Sequence, residues 1–112
     1  MASPQLRTVK VRGEQFSVDV AEAGSGPALL YLHGEFGRSW DDFLERVARR
    51  HHVIAPCHPG YGETTGTDYL LDVHDLIYYY LDFLDSVDLR QVALIGHGLG
   101  GMIAAELAAV QP

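Results

Sequence analysis

Apolar and polar residues alternate along two segments near the start of the chain, at residues 8–12 and 16–21. Alternation with a period of two is typical of strands that bury only one face. Gly13 and Glu14 lie between the two segments, where a tight turn is needed. The pattern therefore predicts an antiparallel hairpin at the beginning of the fold.

Three continuous apolar runs follow the hairpin, at residues 28–32, 53–55 and 92–95. Short runs without alternation are typical of parallel strands that helices cover on both faces. Gly24 to Pro27 separate the first run from the hairpin, and Pro56 ends the second. These three segments are predicted to be buried strands.

Helical periodicity lies between and after these runs. Ser39 is predicted to cap a first helix, and a long helix is predicted at residues 68–87. Residues 102–110 are apolar nearly all round and predict a third helix that is deeply buried. The inward faces of the first two helices are assigned to Trp40, Phe43, Leu44 and Val47, and to Leu70, Val73, Ile77, Leu81 and Leu84.

The order of elements predicts the α/β class, with a mainly parallel sheet, helices on both faces and an N-terminal antiparallel hairpin. In this topology the strand at 92–95 is normally flanked by a later strand. We therefore expect residues 1–112 to be the N-terminal half of a single domain. The alternative is self-association through the exposed edge of strand 92–95.

Composition narrows the range of functions. The chain has 112 residues, of which 47% are apolar and 21% charged, as expected for a folded globular protein. Its net charge of −7 argues against nucleic acid and against anionic membranes as partners. It has one cysteine and no signal-peptide pattern, so we expect a cytoplasmic location.

Three motifs lie at the ends of the predicted parallel strands. They are Leu-Tyr-Leu-His-Gly-Glu-Phe-Gly at 30–37, Cys-His-Pro-Gly-Tyr-Gly-Glu-Thr at 57–64 and Gly-His-Gly-Leu-Gly-Gly at 96–101. In this order the sequence resembles the α/β-hydrolase superfamily, in its esterase, epoxide-hydrolase and carbon–carbon-bond hydrolase branch. The third motif is similar to the Gly-x-Ser-x-Gly nucleophile elbow. The fold is then an incomplete α/β-hydrolase fold.

The resemblance implies a role for each residue near these motifs. The parent activity is hydrolysis of an ester or similar bond by a Ser-His-Asp triad, with the nucleophile at position 98. The oxyanion is held by the backbone N–H of Leu99 and that of Glu35 or Phe36. The oxyanion loop contains His33 and Gly34, and the rest of the elbow consists of Gly96, His97, Gly100 and Gly101.

Two positions depart from the family pattern. Cys57 stands where the family usually has aspartate, and we interpret it as a small buried thiol in a structural role. Gly98 stands at the nucleophile position and has no side chain. Neither an acid nor a histidine in the family's later positions lies within residues 1–112. We therefore expect this chain to be inactive as a hydrolase.

Two other functions are open at this point. One is a non-catalytic member of the superfamily that binds an ester-like small molecule. The other is a dinucleotide-binding domain, because Gly96, Gly98 and Gly101 also satisfy Gly-x-Gly-x-x-Gly between a strand and a helix. That second alternative gives no role to the motifs at 30–37 and 57–64.

No metal or cofactor is expected from the remaining candidate residues. The six histidines and Cys57 lack the paired spacing of a zinc site. His97 is predicted to point into packing, beside the vacant nucleophile position. The three consecutive tyrosines at 78–80 are predicted to cover the sheet from a helix, with one ring exposed.

Overall fold

The computed structural model describes residues 4–13, 16–34, 37–62, 64–66, 73–89 and 92–110. Five strands and three helices lie within these ranges. The strands are β1 (Gln5–Val11), β2 (Phe16–Ala23), β3 (Ala28–Leu32), β4 (His52–Pro56) and β5 (Ala93–Gly96). The helices are α1 (Asp42–Val47), α2 (Val73–Ser86) and α3 (Leu99–Val110).

The strands form one mixed sheet in the order β1-β2-β4-β3-β5. The pairs β1–β2 and β2–β4 are antiparallel, whereas β3–β4 and β3–β5 are parallel. The predicted hairpin is confirmed, with Val11 opposite Phe16 nearest the turn. Strand β5 is the outermost of the described strands beside β3, and self-association through its edge stays a prediction.

Helices cover both faces of β3 and β4, as their continuous apolar runs predict. The prediction that the run at 92–95 is buried is wrong, because Ala93 of β5 is exposed and Leu94 and Ile95 are only partly buried at the outer position of the described sheet. Leu29 and Val53 pack with Leu44 of α1 on one face. Leu30 and Leu32, the alternate residues of β3, join the larger core on the other face. The larger core also receives side chains from α2 and α3, including Ile77, Tyr80, Phe83, Ile103 and Leu107.

The cap of α1 differs from the sequence prediction. Asp41, not Ser39, is the N-cap, and its carboxylate accepts a hydrogen bond from the Leu44 amide at 3.0 Å. An aspartate here also places negative charge at the positive end of the helix. Phe43, predicted to face inward, is 50% exposed.

Helix α2 is confirmed, although its predicted first residues, 68–72, lie outside the described residues. Its buried side chains are Ile77, Tyr79, Tyr80 and Phe83, while Leu81 and Leu84 are only partly buried. The prediction of one exposed tyrosine ring is confirmed, since Tyr78 is 56% exposed whereas Tyr79 and Tyr80 are fully buried. The aromatic side chains therefore face the sheet in preference to the leucines.

Helix α3 is less buried than its composition predicts. Only one narrow face is covered, formed by Gly100, Ile103 and Leu107 at spacings of three and four residues. Met102 and the alanines on the opposite face are exposed. The apolar composition alone could not show which face packs, because an all-apolar helix has no polar side to orient it. Among the described residues, no helix has the length and apolarity needed to cross a bilayer.

The packing of α3 against β3 predicts opposite effects of alanine at two adjacent glycines. At Gly100 an added Cβ would lie 1.9 Å from the Leu32 carbonyl oxygen, so the backbones must separate. We expect Gly100→Ala to lower the free energy of unfolding by about 3 kcal/mol. At Gly101 the nearest atom to an added Cβ lies 3.5 Å away.

Gly101→Ala is therefore the matched control, and its higher helix propensity should stabilise the chain by up to about 1 kcal/mol. Urea unfolding of the two variants measures both effects. Equal effects of the two substitutions would contradict the close packing at position 100.

Candidate functional site

The three motifs meet at one edge of the sheet. Strands β3 and β5 are parallel neighbours, so the oxyanion loop after β3 and the turn after β5 leave the sheet side by side. The carboxyl ends of parallel strands are the usual location of sites in α/β sheets. A backbone bond from the His97 amide to the Leu32 carbonyl, 3.1 Å long, joins the two exits.

Close backbone approach at this edge leaves no room for side chains. A Cβ on Gly96 would lie 2.3 Å from the Gly100 carbonyl oxygen. A Cβ on Gly34 would lie 2.9 Å from the His97 carbonyl oxygen and 3.3 Å from its Nδ1. The oxyanion loop and the elbow are therefore in direct contact, through Gly34 on one side and His97 on the other.

Gly98 occupies the turn between the end of β5 and the start of α3. Its φ of +57° lies in the left-handed region, which disfavours any residue with a Cβ. The position is exposed, and the Gly98 carbonyl accepts the Met102 amide at 3.2 Å as α3 begins. The turn thus passes directly from strand to helix through a left-handed residue without a side chain, and its role as a nucleophile elbow stays a prediction.

The structure brings most of the predicted site residues together. His33, Gly34, Gly96, His97, Gly98, Leu99, Gly100 and Gly101 all lie at this junction, and Leu99 begins α3. Glu35 and Phe36, the predicted second oxyanion donors, lie outside the described residues. The oxyanion roles stay predictions. His97 is exposed, so the prediction that it points into packing is wrong.

A buried pair of histidines joins the oxyanion loop to the loop after β4. The rings of His33 and His58 lie 3.7 Å apart between centroids, and each residue is 1% exposed. The His58 amide donates to His33 Nε2 at 2.8 Å. In return, His58 Nε2 bonds to the His33 carbonyl oxygen, also at 2.8 Å.

These bonds assign one tautomer to each ring. Because His33 Nε2 accepts an amide proton, its own proton is on Nδ1, which donates to the Gly34 carbonyl at 2.7 Å. His58 Nε2 faces a carbonyl and must donate, so His58 Nδ1 is the acceptor. The hydroxyl of Tyr80, on α2, donates to that nitrogen. Every polar atom of both rings has a partner.

Burial keeps these groups uncharged. It lowers the pKa of His58 to about 4, with a further lowering from the adjacent His33. Burial also lowers the pKa of His33, and Arg38 adds to this effect, although the bond to Gly34 opposes it. The pKa of Tyr80 is raised far above its ordinary value, again by burial first. The neutral forms are those that the hydrogen bonds require.

An ion pair fixes the other end of the oxyanion loop. Arg38 donates to the carboxylate of Asp19 at 3.1 Å, and to the carbonyls of Asp19 and Ala55 at 3.1 Å each. Both charged side chains are largely buried. Together with the histidine pair, this contact anchors the loop on β2 and β4.

Cys57 lies in the same region and is 2% exposed. Its Sγ and the Asp19 carboxylate both approach Gly62, where an added Cβ would be 2.9 Å and 2.7 Å from them respectively. A carboxylate from β2 thus lies close to the position where the family usually has an aspartate side chain. Burial raises the pKa of the Cys57 thiol, although Arg38 lowers it. A buried, protonated thiol fits the predicted structural role.

Comparison with known proteins agrees with this geometry. The sequence profile of the alpha/beta hydrolase family matches residues 29–111, which include all three motifs. The chain belongs to the alpha/beta hydrolase family. This assignment gives a role to the motifs at 30–37 and 57–64, which the dinucleotide-binding alternative does not.

Individual relatives match most or all of the chain. Human epoxide hydrolase 4 is 36% identical over 123 residues, covering 100% of this chain and 33% of that protein. A haloalkane dehalogenase of Mesorhizobium japonicum is 36% identical over 99 residues, covering 86% of this chain and 32% of that protein. The chain thus spans about a third of the length of these curated relatives.

Solved structures of alpha/beta hydrolases superpose closely on the chain. A loop variant of a haloalkane dehalogenase from Bradyrhizobium elkanii has a TM-score of 0.88 and 29% identity, covering 99% of this chain and 38% of that one. The strand order and the helices on both faces are therefore shared with this family member.

Sequence reasoning missed the contact between His58 and Tyr80. The two residues are 22 positions apart. His58 lies in the motif at 57–64, whereas Tyr80 belongs to none of the three motifs. One signal was present, because a buried tyrosine needs a partner for its hydroxyl. That rule alone does not identify the partner, and Tyr79 shows why: its buried hydroxyl has no hydrogen-bond partner among the described residues.

The buried histidines predict a loss of stability in mild acid. The pKa of His58 is about 4 in the folded chain and near its ordinary 6.5 in the unfolded chain. Between these values the unfolded state binds more protons, so the free energy of unfolding falls as the pH falls. We expect a loss on the order of 3 kcal/mol between pH 7 and pH 4 from this group.

Urea unfolding at a series of pH values measures the effect. Carboxylates also titrate in this range, and their contribution cancels when variants are compared with the unmodified chain. His58→Gln should flatten the dependence on pH, whereas His97→Gln, at an exposed position, should keep it. A slope in His58→Gln equal to that of the unmodified chain would refute this role of His58.

Proposed function

We propose that this chain provides the elbow and oxyanion-loop wall of an alpha/beta hydrolase site in a form that binds without covalent catalysis. The ligand class is an ester-like small molecule or the corresponding acid. The single observation that carries this proposal is Gly98, which occupies the elbow with a φ of +57° and presents no hydroxyl, thiol or carboxylate.

The absence of a side chain at position 98 removes the covalent step. In the parent mechanism a nucleophile attacks the scissile carbon and forms an acyl-enzyme, which water then hydrolyses. Loss of the nucleophile from such a triad lowers the rate by about 10⁶-fold. The remaining rate acceleration over the reaction in water, roughly 10³–10⁴-fold, is due to backbone donors and binding.

Ligand binding in this site depends on backbone groups, which a substitution at position 98 does not remove. The resemblance assigns the oxyanion donors to the amide of Leu99 and to the amide after Gly34. The contact between Gly34 and His97 supports this assignment, because it sets the two donor segments side by side. The protein is thus proposed to be a pseudoenzyme with an intact framework.

Relatives support a compact organic ligand. The two relatives described above are named for action on epoxides and haloalkanes, and each is about three times as long as this chain. The proposed ligand class therefore stays at an ester-like small molecule or the corresponding acid.

A pair of substitutions at position 98 tests the missing nucleophile. Gly98→Ser and Gly98→Ala place the same Cβ at a positive φ and should cost about 1–2 kcal/mol each. They differ only in the hydroxyl. With p-nitrophenyl acetate we expect the unmodified chain and Gly98→Ala to show no burst of p-nitrophenol and no acetyl adduct in the intact mass. Of the three chains, only Gly98→Ser has a hydroxyl at position 98 on which such an adduct can form.

The outcomes separate the two parts of the proposal. A stoichiometric burst from the unmodified chain, with an adduct mapped to residues 96–101, would overturn the claim that the elbow lacks a nucleophile. Binding is followed by the change of Tm in ethyl butyrate and in butyrate. No change in either, in a chain that unfolds cooperatively, would overturn the claim of binding.

A further inference from the structure

Two other segments of the chain and one further residue of its own loop contact the His58 ring. The oxyanion loop contributes His33, which stacks on the ring and accepts from the His58 amide. Helix α2 contributes Tyr80, whose hydroxyl donates to Nδ1 and whose ring packs edge-on at 5.5 Å between centroids. Tyr61, in the loop after β4, also packs edge-on against both histidine rings.

We propose that Tyr80 and His58 are positioning residues that hold the Gly34 peptide of the oxyanion loop in one orientation. This inference rests on the proposed function, because it concerns the same oxyanion donors. It adds a role for two residues that lie outside the motif of the oxyanion loop.

The positioning acts through a chain of directed hydrogen bonds. The Tyr80 hydroxyl donates to His58 Nδ1, which leaves the His58 proton on Nε2, where it donates to the His33 carbonyl. The His58 amide then occupies His33 Nε2, which leaves the His33 proton on Nδ1. That proton goes to the Gly34 carbonyl. Each donor fixes the role of the next atom, so the network has one arrangement.

The last acceptor is what connects the network to the oxyanion. The Gly34 carbonyl accepts both His33 Nδ1–H at 2.7 Å and the Gly37 amide at 3.2 Å. Because a peptide unit is planar and trans, the amide that follows a carbonyl points away from it. A bond that fixes the Gly34 carbonyl therefore restricts the peptide plane that follows Gly34, and the resemblance assigns an oxyanion donor to the residues directly after it, Glu35 or Phe36.

The hydroxyl of Tyr80 is the part of the network that a purely structural tyrosine would not need. Tyr79 is the neighbouring residue on α2, is equally buried, and packs against Phe16 and Tyr80. Its hydroxyl has no partner among the described residues. The two side chains thus offer the same apolar ring to the core and differ in what their hydroxyls do.

Protonation of either histidine breaks the arrangement. A charged His58 would carry a proton on Nδ1 against the Tyr80 hydroxyl, and a charged His33 would carry one on Nε2 against the His58 amide. Among the described residues, the other titratable or charged groups near the pair include Tyr61, Cys57 and the Arg38–Asp19 pair. The carboxylate of that ion pair is held by Arg38.

Two matched substitutions test the proposal without any ligand. Tyr80→Phe removes the donor to His58 Nδ1, and Tyr79→Phe removes a hydroxyl that has no partner. We expect Tyr80→Phe to move the imidazole ¹⁵N shifts of His58 toward a mixture of tautomers. We also expect the Gly37 amide to exchange with solvent about tenfold faster. Tyr79→Phe should change neither quantity.

The outcomes are distinct. Unchanged imidazole shifts and unchanged Gly37 exchange in a folded Tyr80→Phe chain would overturn the proposal, as would equal effects of Tyr79→Phe. If Tyr80→Phe does not fold, the unmodified chain still decides. Its Gly37 exchange, corrected for the intrinsic rate, should accelerate as the pH falls from 7 toward 4 by more than the exchange of amides in β2, which reports the overall loss of stability. Exchange that follows only the intrinsic rate would refute the role.

These measurements also separate this inference from the proposed function. A change of Tm in butyrate that is retained in Tyr80→Phe, with normal Gly37 exchange, would leave binding intact and refute the positioning role. Faster Gly37 exchange in Tyr80→Phe, together with no change of Tm in any chain on addition of ligand, would support the positioning role and refute the proposed binding.

Discussion

At the ends of β3 and β5, backbone segments are in direct contact with no side chain between them. The rest of the structure depends on this constraint. Gly34, Gly96 and Gly100 each lie where a Cβ would come within 3 Å of another segment's backbone. The helix α3 can start directly at the sheet only because of this. The same approach sets the oxyanion loop against the turn that contains Gly98. The proposed site, built from backbone amides, depends on that contact and not on reactive side chains.

Two further interactions keep the oxyanion loop against the sheet. The His33–His58–Tyr80 network fixes its first residues from within the core, and the Arg38–Asp19 pair fixes its end on β2 and β4. The histidine network is buried, with every polar ring atom hydrogen-bonded, and the largely buried Arg38–Asp19 pair adds three bonds from Arg38. Buried polar groups that are hydrogen-bonded in this way favour one arrangement. The framework can therefore be retained in a chain that has glycine at the nucleophile position.

The sequence predicts the parts of this fold that depend on periodicity and on local motifs. Alternation at residues 8–12 and 16–21 identifies the hairpin, and the apolar runs identify the parallel strands. It does not predict the burial of α3, whose residues are apolar on every face, or the choice of Asp41 over Ser39 as a cap. The contact of His58 with Tyr80 is equally out of reach, because it depends on how α2 is placed on the sheet. The predicted elbow is visible in the sequence because its four glycines lie within six residues, at 96, 98, 100 and 101.

The most direct test of the account is a nuclear Overhauser measurement on the folded chain. We expect cross-peaks between the Gly34 α-protons and protons of His97, and between the Gly100 α-protons and backbone protons of Leu32 and His33. These contacts join the oxyanion loop, the elbow and α3. A well-dispersed spectrum with assigned resonances but without these cross-peaks would contradict the central claim that the elbow and the oxyanion loop form one site.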